Sequence, residues 1–140
     1  TYMLTVPFMC PEVRHLDRMP VFAYWFDRFR EGGLFRPDVV VPIDGVMAEK
    51  TEIVRAHASQ FFEWLPYNAG TLDQVPEDPE SRREYTLRMI SDRARRAAEA
   101  CRELRPGSVP EGCELVEAFQ ISEYGRQPAR EELGRLFPAR

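Results

Sequence analysis

The sequence predicts an α/β fold with a mostly parallel sheet that helices cover on both faces. Short segments rich in β-branched and aromatic residues, typical of buried strands, alternate with longer segments in which apolar residues recur every three or four positions. Strands separated by helices favour parallel pairing. The chain has 140 residues, enough for one domain, yet we expect only about three strands where a mean sheet has five or six. The rest of the sheet is therefore expected outside this sequence.

The first part of the chain predicts a loop and two strands. Pro7 and Pro11 remove backbone donors, so residues 1–11 are predicted to be the end of a helix that runs into a loop. Val21 to Phe26 is β-branched and aromatic, and it is predicted to be a buried strand. Val39 to Val41 is predicted to be a second, shorter buried strand that a proline closes.

The middle of the chain predicts one amphipathic helix and a long loop. Asp44 can cap this helix, which we expect to end near Leu65 because Pro66 disfavours helical geometry at the residue before it. The residues that would form its apolar stripe are Val46, Ile53, His57, Phe61 and Trp64. The loop at 68–80 is long for a compact domain, which is typical of lids and binding edges.

The last part of the chain predicts a long helix, a strand and a short helix. Ser81 and Glu84 have the spacing of a capping box, so the long helix is predicted to begin there. Its predicted inner face consists of Leu87, Ile90, Ala94, Ala97, Cys101 and Leu104. The segment 114–121 alternates as a strand does, and a final helix is predicted from Pro128 to Leu136.

Cysteine content and hydropathy indicate a cytoplasmic protein. Cys10, Cys101 and Cys113 form an odd set with no metal-ligand spacing, which argues against a disulfide scaffold and favours a reducing compartment. No apolar run approaches the roughly 20 residues that a membrane span needs. We therefore expect a cytoplasmic chain with no membrane span.

The charge distribution argues against nucleic-acid binding. The formal net charge is -4, which gives no overall attraction to a phosphate backbone. Arginines are frequent in the predicted long helix, but Arg96 follows Asp92 by four residues and Glu99 follows Arg95 by four. Such pairs are typical of a solvated helix face, so we expect no nucleic-acid partner.

Few side chains of this sequence could form a catalytic or metal site. The two histidines are His15, in a polar stretch typical of the surface, and His57, on the predicted apolar stripe. His57 has two interpretations: a core imidazole hydrogen-bonded to backbone or to a neighbouring acid, or a cleft residue beside Gln60. The aromatic cluster that includes Trp64 is typical of a core, with a sugar-stacking shelf as the alternative.

Three segments carry a resemblance to a known family. They are Arg36-Pro37-Asp38-Val39-Val40-Val41 followed by Lys50, then Ala56-His57-Ala58-Ser59-Gln60 with Glu63-Trp64-Leu65-Pro66, and finally Glu117-Ala118-Phe119-Gln120 with Glu123-Tyr124-Gly125. In this order they resemble the later part of the PIG-L (LmbE-like) deacetylases, in which a helix with an AHxSQ-type motif recurs. The likeness spans most of the chain from Thr1 to Phe137.

The resemblance implies a Rossmann-like, three-layer α/β domain that removes an acetyl group from an N-acetylated amino sugar or glycoconjugate, such as an N-acetylglucosaminyl compound, with zinc as cofactor. In such a mechanism zinc polarises the amide carbonyl and activates a bound water. The metal ligands of the family come from an AHPDD-type motif and a later HxxH-type motif, and neither occurs in this sequence.

Residues 1–140 are therefore expected to be the C-terminal part of a single deacetylase domain whose metal-binding part is absent. Zinc is expected in the full-length parent and not in this chain, which we expect to be inactive alone, without a metal ligand or a catalytic residue. The resemblance implies that His57, Gln60 and Trp64 line or support the cleft. The alternative is a non-catalytic binding or structural module that retains the second half of the fold.

Overall fold

The computed structural model describes residues 5–6 and 8–138, and this part of the chain contains three strands and four α-helices. In chain order the elements are β1 (Val21–Trp25), β2 (Val39–Pro42), α1 (Met47–Arg55), a π-helix (Ser59–Trp64), α2 (Leu65–Ala69), α3 (Pro79–Leu104), β3 (Val116–Gly125) and α4 (Arg130–Leu136). Short 3₁₀ turns at Asp44–Val46 and Leu72–Gln74 precede α1 and follow α2. Residues 1–4 and 7 of the segment 1–11, which was predicted to be a helix end and a loop, lie outside the described part.

The three strands form one sheet in the order β1-β3-β2, so β3 is central. β1 pairs with β3 in antiparallel register. β2 also runs antiparallel to β3. Asp38, just before β2, accepts from the amide of Ile121, whereas the amide of Ile43, just after β2, donates to the carbonyl of Leu115. As residue numbers rise along β2, the numbers of the contacting residues on or next to β3 fall. The predicted mostly parallel, Rossmann-like sheet is therefore wrong: the sheet is antiparallel.

The connection between β2 and β3 explains the antiparallel direction. It contains two helical passes, since α1 and α3 pack antiparallel: Arg55 donates to the carbonyl of Pro79 at 3.3 Å, and Glu52 pairs with Arg83 at 3.0 Å. A single helix after β2 would carry the chain back to the other end of the sheet, and the next strand would run parallel. An outward and a return pass instead bring the chain back to the end at which β2 finishes, so β3 runs antiparallel. The sequence pattern shows the helices but not that they form a hairpin.

The chain divides into two units of dense internal contact. One unit is Pro42–Glu117, and the other runs up to Val41 and resumes at Ala118. In the unit Pro42–Glu117, one side of α1 packs on the inner face of α3. The buried residues of this unit include Met47, Thr51, Phe62, Thr86, Ile90, Ala94, Ala97, Ala98, Cys101 and Val116. Small residues on α3 allow the two helices to approach closely.

The other unit has its core between β1, the loop that follows β1, and the later part of β3. Phe26 is buried and meets the ring of Phe35 edge-on, with ring centroids 5.2 Å apart. Phe119 packs against Phe137, just after α4, at 5.1 Å. Ala118 on β3 is also fully buried, and the two aromatic contacts stabilise this unit.

The single helix predicted from Asp44 to Leu65 is interrupted. α1 ends at Arg55, a π-helix follows the break, and α2 continues past Pro66 to Ala69. The proline lies in the first turn of α2, the part of a helix that best accommodates proline. The predicted apolar stripe is also wrong, since Ile53 is 64% exposed and the buried face lies on other residues, such as Met47 and Thr51.

The inner face predicted for α3 is largely confirmed, because Ile90, Ala94, Ala97 and Cys101 are buried. Its predicted start is wrong by a turn. Asp78 is the N-cap and accepts from the amide of Ser81, so Ser81 lies inside the helix and does not cap it. In the described residues, no helix is both long enough and apolar enough to cross a membrane.

Candidate functional site

The predicted cleft residues lie at and after the break that follows α1. The amide of His57 donates to Val54 at 3.0 Å, and the carbonyl of His57 accepts from the amides of Gln60 at 3.0 Å and Phe61 at 3.1 Å. The side chains of His57, Gln60 and Trp64 are all exposed. A core role for the imidazole is therefore wrong. That the three residues line or support a cleft stays a prediction.

A cavity of about 390 Å³ lies beside this break, and we refer to it as the helix cavity. It is lined by Glu52, Arg55, Ala56, Ala58, Phe62, Glu77, Pro79 and Arg82. The lining set includes both neighbours of His57 in the sequence but not His57, Gln60 or Trp64. The three predicted residues are thus close in sequence to residues that line the helix cavity, but none of the three lines it.

An aromatic ring and a guanidinium form one wall of the helix cavity. Phe62 is buried, and its ring centroid lies 6.4 Å from that of Tyr85. The guanidinium of Arg82 lies 4.9 Å from the centroid of Phe62, and its Nε donates to the carbonyl of Pro76 at 2.8 Å. The cation–π contact and the hydrogen bond hold this guanidinium in place.

Charged groups of both signs surround the opening of the helix cavity. Glu52 pairs with Arg55 at 2.8 Å and with Arg83 at 3.0 Å. Such fixed polar groups can hydrogen-bond a polar ligand. Sequence reasoning missed Arg82 because it resembled one more arginine of a solvated face. Glu77 could have been predicted, since it lies in the loop 68–80, whose length is typical of lids and binding edges.

Asp44 and Cys113 form a titratable pair in which the pKa of each group is shifted. The Cys113 thiol donates to Asp44 Oδ2 at 3.0 Å, and burial together with this carboxylate raises the pKa of Cys113 to about 11. Burial works to raise the pKa of Asp44, but hydrogen bonds from the thiol and from the amides of Glu114 and Leu115 lower it. The thiol stays protonated at neutral pH, so it is a poor nucleophile.

The same contacts correct the expected role of Asp44. Its carboxylate makes no capping bond to the helix that follows, and it accepts instead from the amides of Glu114 at 3.1 Å and Leu115 at 3.2 Å. Asp44 thereby holds the segment that enters β3 against the segment that leaves β2. The sequence alone cannot show this contact, because the residues that donate to Asp44 lie about 70 positions away.

Two of the segments that resemble PIG-L deacetylases contact each other near β2. The amide of Arg36 donates to Gln120 Oε1 at 2.9 Å. Asp38 pairs with Arg36 at 2.9 Å and accepts from the amide of Ile121 at 2.9 Å. The hydrogen bond and charge of Asp38 raise the pKa of Arg36. These side chains join the Arg-Pro-Asp segment to the Glu-Ala-Phe-Gln segment.

A further contact joins parts of the resemblance within the unit Pro42–Glu117. The Lys50 ammonium on α1 forms an ion pair with the Glu117 carboxylate on β3, and both side chains are mostly buried, at 20% and 28% exposure. Partial burial reduces solvent screening of the pair. The Glu117 carboxylate therefore has a structural role in this unit.

Within residues 5–6 and 8–138, no three or more His, Cys, Asp and Glu side chains are grouped so that they could hold a metal ion. These residues do not fit a zinc centre by themselves. No family model, curated protein or solved structure matches the chain.

Proposed function

We propose that this chain is part of a zinc-dependent deacetylase, an amidohydrolase that acts on an N-acetylated amino sugar or glycoconjugate. The proposal starts from the resemblance to PIG-L deacetylases. The observation that carries it is the connection between the resembling segments: Arg36 and Asp38 contact Gln120 and Ile121, and Lys50 pairs with Glu117. Gln120 and Asp38 each accept from a backbone amide in or beside the neighbouring strand, so residues quoted for the resemblance help to hold β2 and β3 together.

The proposal assigns neither a metal ligand nor a catalytic base to this chain. The remainder of the parent protein would supply zinc and the groups that activate water. The contribution of this chain would be the substrate side of the cleft, where exposed His57, Gln60 and Trp64 provide an imidazole, an amide and an indole. An exposed indole suits stacking on a sugar ring, and the other two groups can hydrogen-bond its hydroxyls.

The test is an acetate-release assay on the natural protein that contains this chain, loaded with zinc and supplied with N-acetylglucosamine and its glycoconjugates. We expect release by the parent, loss with a chelator, and none from residues 1–140 alone. His57→Ala in the parent should lower kcat/KM about tenfold, which corresponds to about 1.4 kcal/mol of transition-state stabilisation.

The matched control is Glu63→Gln, which alters another exposed residue of the π-helix. It should leave kcat/KM unchanged. If the zinc-loaded parent released no acetate from any of these substrates, the deacetylase proposal would be wrong. Unchanged stability and unchanged kcat/KM in His57→Ala would instead remove only the cleft role of His57.

The second candidate is a non-catalytic binding or structural module. The observation that favours it is the antiparallel direction of the sheet, which differs from the mostly parallel sheet that the enzyme resemblance implied. A module of this kind would be a stable monomer or a defined dimer on its own. It would bind N-acetylated sugars, if at all, without releasing acetate.

A further inference from the structure

A second cavity, of about 250 Å³, lies in the unit that contains β1, and we refer to it as the loop cavity. It is lined by Tyr24, Asp27, Phe29, Glu31, Gly32, Gly33, Leu34, Phe35 and Gln120. Three of these residues are aromatic and two are carboxylates, and none of the described lining residues is cationic. This volume is below the roughly 300 Å³ at which drug-sized ligand pockets begin, so it suits a small ligand.

The aromatic rings of the loop cavity are available to a ligand. Phe29 is 78% exposed and Tyr24 is 55% exposed, whereas Phe35 is held in place by its edge-on contact with Phe26. Such rings present negative π faces that attract cations, and the attraction grows as water is displaced. One fixed ring and two exposed rings therefore form a surface on which a cation can be enclosed.

The two carboxylates give the loop cavity its charge. Asp27 is half-buried and accepts from the amide of Phe29 at 2.8 Å, which holds its carboxylate in the turn after β1. Glu31, four residues further along the loop, is exposed. Arg28 and Arg30 are their sequence neighbours, but neither guanidinium lines the cavity. Negative charge beside aromatic faces favours a cationic ligand over a neutral one.

The backbone of the loop and Gln120 complete the wall. Gly32 and Gly33 have φ of +84° and +130°, conformations that residues with a Cβ rarely adopt, so the loop can turn back over the cavity here. Gln120 Oε1 accepts from the Arg36 amide, which leaves the side-chain nitrogen as a donor for a ligand hydroxyl.

From these contacts we infer that the loop cavity binds a small organic ammonium cation. Three aromatic side chains, two carboxylates and no lining cation are the chemistry by which proteins recognise ammonium groups. A hydroxyl close to the ammonium group would reach the Gln120 amide. This inference does not depend on the deacetylase proposal, because it uses only the unit that contains β1.

The probe is choline, compared with its neutral carbon isostere dimethylbutanol, each titrated into the full chain while backbone amide resonances are recorded by NMR. Choline should shift the amides of Gly32 and Gly33 with saturation, and dimethylbutanol should not. Phe29→Leu should weaken choline binding about two- to fivefold, the amount expected from one exposed cation–π contact.

Asp27→Asn is the second variant, because an asparagine oxygen can still accept from the Phe29 amide while the charge is removed. It should also weaken binding of choline. Glu63→Gln, which neutralises an exposed carboxylate outside the loop cavity, should not. Equal shifts with choline and dimethylbutanol, or full choline affinity in both Phe29→Leu and Asp27→Asn, would overturn the inference.

Discussion

The Cys113 thiol is an example of a chemically reactive side chain with a structural role in this protein. It is buried and donates to the Asp44 carboxylate, while Cys101 is fully buried on α3 and Cys10 is exposed. Burial, and for Cys113 the nearby carboxylate, raises the pKa of both buried thiols. Because the thiolate is the reactive form, the three cysteines should differ sharply in reactivity.

Iodoacetamide at pH 8 should therefore alkylate Cys10 quickly and leave the two buried thiols unmodified until the chain is unfolded in urea. Mass spectrometry of tryptic peptides identifies each modified site. Cys10→Ser is the control, and in its folded state this variant should show no rapid labelling. Rapid modification of Cys113 in this variant would contradict its burial beneath Asp44.

The raised pKa of Cys113 also gives stability a pH dependence with a definite sign. The folded-state pKa is about 11 and the ordinary value is 9.0, so the folded chain binds the proton more tightly. The stabilisation is fully present below about pH 9 and is lost as the pH rises towards 11. The same residue therefore contributes to stability only while it remains a thiol.

Among the helices, α3 shows most clearly how a local cap decides where an element begins. Asp78 lies just before the helix, and its carboxylate accepts from the amide of Ser81 at 2.9 Å. Pro79 occupies the first helical position, where its missing N–H is not needed. Asp78 therefore satisfies a donor at the start of the helix whose inner face carries much of the core.

Asp78→Ala should lower the urea midpoint of unfolding measurably, whereas Ser81→Ala should have little effect because Ser81 is not the cap. The hydrogen bonds from Ser81 lower the pKa of Asp78. Its stabilisation is thus present above about pH 3.8, the ordinary value, and is lost as the pH falls through the lower folded-state pKa. A larger effect of Ser81→Ala at pH 7 would instead support the capping box first predicted from the sequence.

At the scale of the whole molecule, large apolar side chains remain on the surface of each unit. Within Pro42–Glu117 these include Ile53 at 64% exposure and Tyr67 at 72%, and in the other unit they include Phe8 at 89%. Scattered exposed apolar residues are ordinary, whereas large ones grouped on one face are typical of a surface that another chain covers. We predict that the chain self-associates through side chains grouped in this way.

Ile53→Lys should reduce this association about tenfold, since burying one large aliphatic side chain contributes about 1.5–3 kcal/mol. Sedimentation velocity over a range of chain concentrations measures it. Ala48→Lys, at another exposed position of α1, introduces the same charge and should leave association nearly unchanged. A wild-type chain that remains a monomer at high concentration would contradict the prediction and favour the module.

Much of the fold could be predicted from local pattern, and some of it could not. Val21–Trp25 and Val39–Pro42 are strands, and α3 buries most of its predicted face, because β-branched runs and three- and four-residue spacing act locally. The burial predicted for the two strands is wrong, since no residue of β1 or β2 is buried. For α1 the spacing was ambiguous, since a buried face at Met47 and Thr51 fits a helix as well as the stripe through Ile53 does. The π-helix after the break further shifts which residues face inward.

The candidate site depended still more on contacts distant in sequence. The sequence pointed to the region of His57, Gln60 and Trp64, but the lining of the helix cavity brings Glu52 and Phe62 together with Glu77 and Arg82. These residues come from α1, the π-helix, a loop and α3. No spacing rule joins side chains from four separate segments.

The sequence by itself determined that the chain combines strands with helices, where most of them lie, and that it contains only two histidines. Those properties follow from composition and from interactions within a few residues. Only the tertiary structure decided that the sheet is antiparallel, that His57 is exposed, and that Asp44 pairs with Cys113. The sheet direction and the Asp44–Cys113 contact depend on how α1 and α3 return the chain to β3, and packing between distant segments determines that path. The exposure of His57 follows from the break after α1.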